Sequence, residues 1–383
     1  VECFVGQPPT AVTAETPQWA LPLPTDRHMP AFDSPSDITY GDYFTAVCDY
    51  LSPQRVHHLL GAVARVLERR LASERLAGIR IHLIKHGAFY HPALLTFDVG
   101  GDLVSLVVNV AVSNTGRCRL PSETACLQAL ERDFAEDWIP RVFDSGIGCV
   151  PGQPPLPMFA AEWFADFHEL HRISSPDDHQ AWAVWDAVRG PWHLDETQVA
   201  AFFRQSMAIL TCYFDPHTLC AIIDWHHAAG DFVVQENAGA LAVRLITVRR
   251  YAPLFQLHAD DSVGLETLLD ALAVFFMRSS LWMRLDRVDG VGALVWAGDH
   301  TVAPMWQGFI QGLESIARRN DFPVSFVEGV RHYFARHQCN DWQEIGEAIV
   351  GRCAADLPEA ALMSAHLGAH VAVLRQSIHS SVL

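Results

Sequence analysis

The sequence predicts an α+β protein in which a mainly β half precedes a mainly α half. Three observations carry that reading. Between residues 79 and 112, apolar residues alternate or run at strand length and are broken by a Gly100-Gly101-Asp102 turn. From about residue 195 onward, apolar residues recur instead at helical spacing. A single apolar connector, Met158–Phe164, lies between these two regimes.

The elements follow in order. Residues 1–45 are rich in Pro, Thr and Asp and lack periodicity, which predicts an extended N-terminal arm. Ser52-Pro53 is a helix start, a capping serine with proline at the first helical position, and apolar spacing carries the helix to about Ala72. Strands are expected over Ile79–Ile84, Ala93–Val99 and Leu103–Val112, the last two joined as a hairpin. Asn114-Thr115-Gly116 reads as a turn, and Ser122-Glu123 as the start of a helix reaching Phe134. Trp138–Phe143 is expected as a strand whose Pro140 suits a sheet edge. Cys149–Pro157, with four prolines, is expected as a loop, and Met158–Phe164 as a strand. Helices are expected near 195–212, 262–284, 303–319, 323–337, 340–354 and 357–376. One hairpin interrupts them, with strands Cys212–Phe214 and Leu219–Trp225.

Composition narrows the function. The 383 residues carry 44 acidic against 27 basic side chains, a net charge of −17. That balance argues against partnership with nucleic acid or with an anionic membrane surface. No apolar run approaches the roughly 18 residues of a membrane-spanning helix, and Val1–Pro9 has neither the basic nor the apolar stretch of a signal peptide. The nine cysteines include no C-x-x-C pair, which leaves a zinc ribbon, a thioredoxin-like motif and a disulfide scaffold without support. A reducing, cytoplasmic setting is expected. Lysine occurs once, at Lys85, so any lysine-dependent chemistry falls to that residue.

Several segments, taken in order, resemble the aminoglycoside-phosphotransferase-like members of the protein-kinase-like fold. They are the hairpin and long strand Val104–Val112, the helix bearing Glu123 in Ser122-Glu123-Thr124-Ala125-Cys126-Leu127, and the strand Trp138–Phe143. Met158-Phe159-Ala160-Ala161-Glu162-Trp163-Phe164 resembles the strand and hinge joining two lobes. Ala221-Ile222-Ile223-Asp224-Trp225 resembles the strand that delivers a metal-binding aspartate, with Gly230-Asp231 following. The resemblance spans about residues 79–240 and implies a two-lobed chain. A small antiparallel β-rich lobe with a leading helix would cover 46–158, and a larger, mainly helical lobe with an embedded hairpin 159–383. It also implies an inter-lobe cleft near Asn109, Glu123, Glu162 and Asp224, with a nucleotide or a divalent metal as candidate ligand.

The departures are as informative. A kinase of this class holds its phosphates with a strand lysine paired to the helix glutamate. Here that strand reads Leu106-Val107-Val108-Asn109-Val110-Ala111-Val112, with Asn109 its one polar residue. Phe203–Leu210, about where a catalytic loop is expected, contains neither Asp nor Asn. The resemblance therefore implies a catalytically degenerate, pseudokinase-like protein that binds a small molecule, a nucleotide or a protein partner. An atypical phosphotransferase or metal-dependent enzyme is one alternative, and a structural partner without a small-molecule site is another.

Three clusters are candidates for chemistry. Asp224, His226, His227 and Asp231 put two carboxylates and two imidazoles within eight residues, a donor set suited to a divalent metal. The plainer alternative is that the histidines and Asp231 cap loop and helix ends. His168 and His171 would share a face if Asp166–His171 were helical, and could equally be a solvated surface. Lys85, His86, Tyr90 and His91 flank a turn with one glycine, a poor phosphate cradle.

Overall fold

A computed structural model describes residues 1–24, 38–68, 71, 75–87, 89–173, 181–186, 189–225, 228–255, 263–353 and 357–381. The chain is α+β, as expected, and divides into two compact units, Val1–Ala165 and Asp166–Leu383. No helix among the described residues is long and apolar enough to cross a membrane.

The first unit contains, in chain order, β1 (Glu2–Val5), β2 (Thr10–Ala11), α1 (Tyr40–Tyr50), α2 (Pro53–Val66), β3 (Leu76–Leu83), β4 (His91–Val99), β5 (Asp102–Val110), α3 (Asn114–Asp133), β6 (Val142–Gly148) and β7 (Leu156–Glu162). Its strands form one seven-stranded sheet in the order β2-β1-β3-β4-β5-β7-β6. The period-2 alternation of β5 buries Val104, Leu106, Val108 and Val110 on one face. These pack with Phe44 and Val47 of α1 and Leu59, Leu60 and Val63 of α2. Each such side chain contributes about 1.5–3 kcal/mol of burial energy. Ser52 accepts from the Arg55 N–H and starts α2 as its Ser-Pro sequence predicts. Gly100 and Gly101, at φ 67° and 94°, make the tight β4–β5 turn.

Four expectations for this unit change. Residues 1–24 are not a bare extended arm, because β1 pairs in parallel with β3, Cys3 opposite Ile81, and Cys3 and Val5 pack on the core. Composition alone does not reveal a strand whose pairing partner lies so far along the chain. The end of the expected arm, from Tyr40, belongs to the helix Tyr40–Tyr50, started by a capping box between Thr39 and Asp42. The expected turn at Asn114 is the first turn of α3, capped by Ser113, so Pro121 lies inside that helix. β6 starts later than expected, at Val142, although it does take the sheet edge.

The second unit contains β8 (His168–Arg172), β9 (Trp182–Val184), β10 (Trp192–His193), α4 (Glu196–Cys212), β11 (Cys220–Ile222), a one-turn segment α5 (Ala228–Asp231), β12 (Phe232–Asn237), β13 (Ala240–Leu245), β14 (Tyr251–Pro253), α6 (Leu265–Met283), β15 (Leu285–Arg287), β16 (Leu294–Trp296), α7 (Val302–Arg319), α8 (Phe326–Arg336), α9 (Cys339–Val350) and α10 (Pro358–His379). The expected helices are present. The expected hairpin is not: Cys212 ends α4, and β11 pairs with β14. A five-stranded sheet in the order β10-β9-β8-β12-β13 replaces the single island of strand. Its strands are too short, and in β13 too alanine-rich, to signal themselves by periodicity.

Two features hold the helical part together. A Cβ at Gly308 would overlap the Arg204 carbonyl oxygen and one at Gly312 the Thr211 side chain, so glycines let α7 approach α4 closely. The second is Arg284, 1% exposed at the end of α6. Its Nε and Nη2 donate to the Ala297 carbonyl at 2.9 and 2.7 Å, and Nη2 also donates to Asp299 Oδ1 at 2.6 Å. Its Nη1 meets His370 Nδ1 of α10 at 3.1 Å, and His370 Nε2 meets Ser280 Oγ at 3.0 Å. Because the guanidinium can only donate, His370 Nδ1 must accept, and the imidazole is held neutral. Burial, aided by the Arg284 charge, pushes its pKa down to about 3.

Two outcomes are expected. Gly308→Ala should destabilise the protein by about 1–3 kcal/mol through overpacking. Gly329→Ala, exposed in α8 with open space beside it, should stabilise it by about 0.5–1 kcal/mol; urea denaturation reads both. The folded pKa of His370 is depressed, so its contribution is fully present above the unfolded value of about 6.5 and is lost as pH falls toward 3. Over that window His370 adds up to about 1.4 kcal/mol per pH unit to the slope of stability. His370→Gln should remove that increment in denaturation curves measured from pH 7 to pH 4.

Candidate functional site

In the first unit, the register decides which candidates share a face. Asn109 stands opposite Pro92 of β4 and Phe159 of β7, while Glu162 stands opposite Leu106. Paired residues point to the same side of a sheet and alternate residues to opposite sides. Asn109 therefore lies on the face away from α1 and α2, and Glu162 on the other. Glu123 sits on the buried stripe of α3 with Leu120 and Leu127 and is 3% exposed. Since α1 and α2 occupy one face, α3, which packs on β7 and β6, covers the opposite one. The sheet thus sets Asn109 and Glu123 on one side and turns the Glu162 side chain from it.

The turn after β3 is engaged locally. His86 Nε2 meets the Tyr40 hydroxyl at 3.1 Å, and its ring lies edge-on to His91 at 5.1 Å. Burial lowers the His86 pKa, and burial with the neighbouring His86 takes His91 down to about 3. Both imidazoles are neutral and pack next to α1. His91 is a buried core histidine, and His86 is half-buried beside it.

In the second unit, Asp224 follows β11, and Arg278 of α6 donates to the adjacent Ile223 carbonyl. Burial lowers the Arg278 pKa, and the nearby Asp224 charge opposes that shift. Asp231, 4% exposed, receives two bonds from Arg249, at 3.0 and 3.2 Å. Both carboxylates of the expected metal cluster thus lie beside arginines. His226 and His227 lie outside the described residues. The described residues include no group of three or more His, Cys, Asp or Glu arranged to hold a metal.

His171 is held from several sides. Asp166–His171 is not helical; His168 and His171 lie on strand β8, three positions apart, and so point to opposite faces. His168 Nε2 reaches Asp186 at 3.5 Å. His171 Nδ1 reaches Asp286 Oδ1 of β15 at 3.4 Å. Asp286 is 2% exposed, and its other oxygen accepts the Arg172 N–H at 2.7 Å. Trp185 stands edge-on to the His171 ring at 6.1 Å. Gly230 and Gly290, at φ 86° and 73°, close on the same ring. A Cβ at Gly290 would lie 2.9 Å from His171 Nε2, and one at Gly230 would lie 3.3 Å from Cε1. Both positions need glycine for backbone conformation and for space.

The chain matches no family model, and no curated protein is significantly similar to it.

The fold thus joins two clusters that the sequence keeps apart. α5, which ends in Asp231, packs on β8, and Gly230 touches His171. Sequence reasoning missed Asp286, which lies 115 residues from His171. It is buried just after a long apolar helix, and no spacing rule links it to a histidine on β8. A histidine whose Nδ1 faces a buried carboxylate is fixed in orientation, with Nε2 as its basic atom.

Asp286→Ala would leave the Arg172 N–H without its acceptor and is expected to cost about 1–3 kcal/mol, read by urea denaturation. Asp286→Asn retains an acceptor oxygen and should cost less.

Proposed function

We propose that this protein is a binding or regulatory protein built on a catalytically degenerate, kinase-like scaffold. The supporting observation is the order β3-β4-β5-β7-β6 with α3 inserted between β5 and β6 in the chain. A small kinase lobe of the kind the sequence resembles has this layout, with a hairpin, a third strand, a helix bearing a glutamate and two further strands. Glu123 is on that helix and faces inward.

The third strand argues for binding without efficient transfer. Phosphoryl transfer relies on positioning and charge stabilisation, and a strand lysine supplies much of both. β5 carries Asn109 on the α3 side of the sheet and no lysine. Lys85 lies beyond the end of β3, outside the strand where a phosphate-binding cation would project. An asparagine offers an amide donor and an acceptor, which suit a neutral or singly charged group better than a triphosphate. The ligand class is a nucleotide or another small molecule recognised on the Asn109 side of the sheet.

A second reading, an atypical phosphotransferase or metal-dependent enzyme acting through the 224–231 segment, has one observation in its favour. Gly230 brings that segment against His171, whose Nδ1 is oriented by Asp286. A histidine held this way is suited to moving a proton at Nε2.

Calorimetric titration of the full chain with ATP, first with Mg²⁺ and then with a chelator, separates the readings. The proposal expects weak binding that the chelator does not change and that Asn109→Lys strengthens about tenfold. Metal-dependent binding abolished by Asp224→Ala would favour the enzyme. Absence of ATP binding in both conditions, with no gain in Asn109→Lys, would overturn the nucleotide reading.

A further inference from the structure

A partly open cavity of about 650 Å³ lies in the helical part of the second unit, lined by the start of α6, the α7–α8 connection and α8. Its walls follow from helical spacing. Leu265, Leu268 and Leu269 share one side of α6, and Phe326, Val330 and Tyr333 share one side of α8. The Phe322 ring packs 4.6 Å from that of Phe326 and extends the apolar wall. Leu268 and Val330 are buried, whereas Leu265, and Val324 between the lining residues Pro323 and Ser325, are exposed. Apolar surface thus runs from a buried floor to an exposed rim. The volume is that of a small-molecule pocket and far above an ordinary packing void.

We propose that this cavity binds a small anionic amphiphile, an alkyl chain ending in a carboxylate. The apolar walls take the body of the ligand, and the charge pattern selects the sign of its head. The lining contains no Asp or Glu, in a chain whose net charge is −17. Its cationic groups are Arg336 and, when protonated, His217 and His332.

The polar groups around the cavity differ in what they have left to offer. The Tyr333 hydroxyl donates to Asp270. His332 Nδ1 donates to the Glu328 carbonyl at 2.8 Å and lies 3.3 Å from the Glu328 carboxylate. His217 Nε2 meets Asn320 Oδ1 at 3.0 Å. Arg336 is exposed at the cavity wall and makes no ion pair among the described residues. It also lines a neighbouring groove with Asp341 and Glu344, where Asp341 is engaged in capping α9. The guanidinium fork matches a carboxylate through two parallel N–H bonds. The site uses no residue of the first unit, so it stands or falls apart from ligand binding on the Asn109 side of the sheet.

Isothermal titration of the full chain with octanoate, 1-octanol and octylammonium tests the site, with the ionic probes kept below their micelle concentrations. Octanoate should bind about fivefold more tightly than octanol, the size of a partly exposed charge pair, and added salt should reduce that advantage. Arg336→Gln should abolish the difference by weakening octanoate and leaving octanol unchanged. Decanoate should gain about fourfold over octanoate for each added methylene. Gly329 lines the cavity from a backbone position with open space beside it. Gly329→Phe should therefore remove octanoate binding while urea denaturation shows a folded protein. Octanol binding as tightly as octanoate would overturn the proposal, as would equal binding of octylammonium, which Asp270 and the nearby Glu266 would favour. So would unchanged octanoate binding by Gly329→Phe, or no octanoate binding at all. In that last case, a dimer that Leu265→Glu dissociates in sedimentation would assign the groove to a second copy of the chain.

Discussion

The buried guanidinium of Arg284 is the constraint on which the second unit turns. An arginine removed from water is costly unless its donors are satisfied. Here they reach the Ala297 carbonyl, Asp299 and His370 together, and the ring of Trp296 stacks 4.6 Å from the charge. These contacts tie the end of α6 to the stretch leading into α7 and to the middle of α10. β15 begins at the next residue, so the same anchor sets where Asp286 stands. The orientation of His171 is thus inherited from a charge two residues before the carboxylate it meets.

Around His171, small residues matter as much as charged ones. Gly230 in α5 and Gly290 after β15 both lie beside the imidazole, where a Cβ at Gly290 would collide and one at Gly230 would crowd the ring. Asp231, adjacent to Gly230, is neutralised by Arg249, so the loop carries a compensated charge toward the ring. Asp231 and Asp286 each have a cationic or hydrogen-bonded partner, which lets them remain buried without a large desolvation cost. Residue types alone suggest a metal cluster in the 224–231 segment. Its arginine neighbours come from residues 249 and 278 and could not be seen from that segment.

The first unit relies on a different constraint, the two-faced sheet. α1 and α2 cover one face with a continuous apolar core, and α3 packs on the other. Since side chains alternate along β5 and β7, the three-residue step from Phe159 to Glu162 sends their side chains to opposite sides. That parity separates Asn109 from Glu162, although the strands that carry them are neighbours.

By itself the sequence determined the elements whose signals are local. The Ser52-Pro53 cap, the Gly100-Gly101 turn, the alternation of β5 and the apolar spacing of the long helices all act over a few residues, and all are present in the structure. It also determined that β5 carries Asn109 and no lysine, since that needs only the residue type. Tertiary structure alone decided the parallel pairing of β1 with β3, the strand state of His168–Arg172, the pairing of β12 with β8 and the meeting of His171 with Asp286. Each of these depends on partners tens of residues away or more, whose pairing and burial outweigh local preference. A short segment can adopt strand or helix at nearly equal cost, and the sheet edge or buried carboxylate that settles the choice lies elsewhere in the chain.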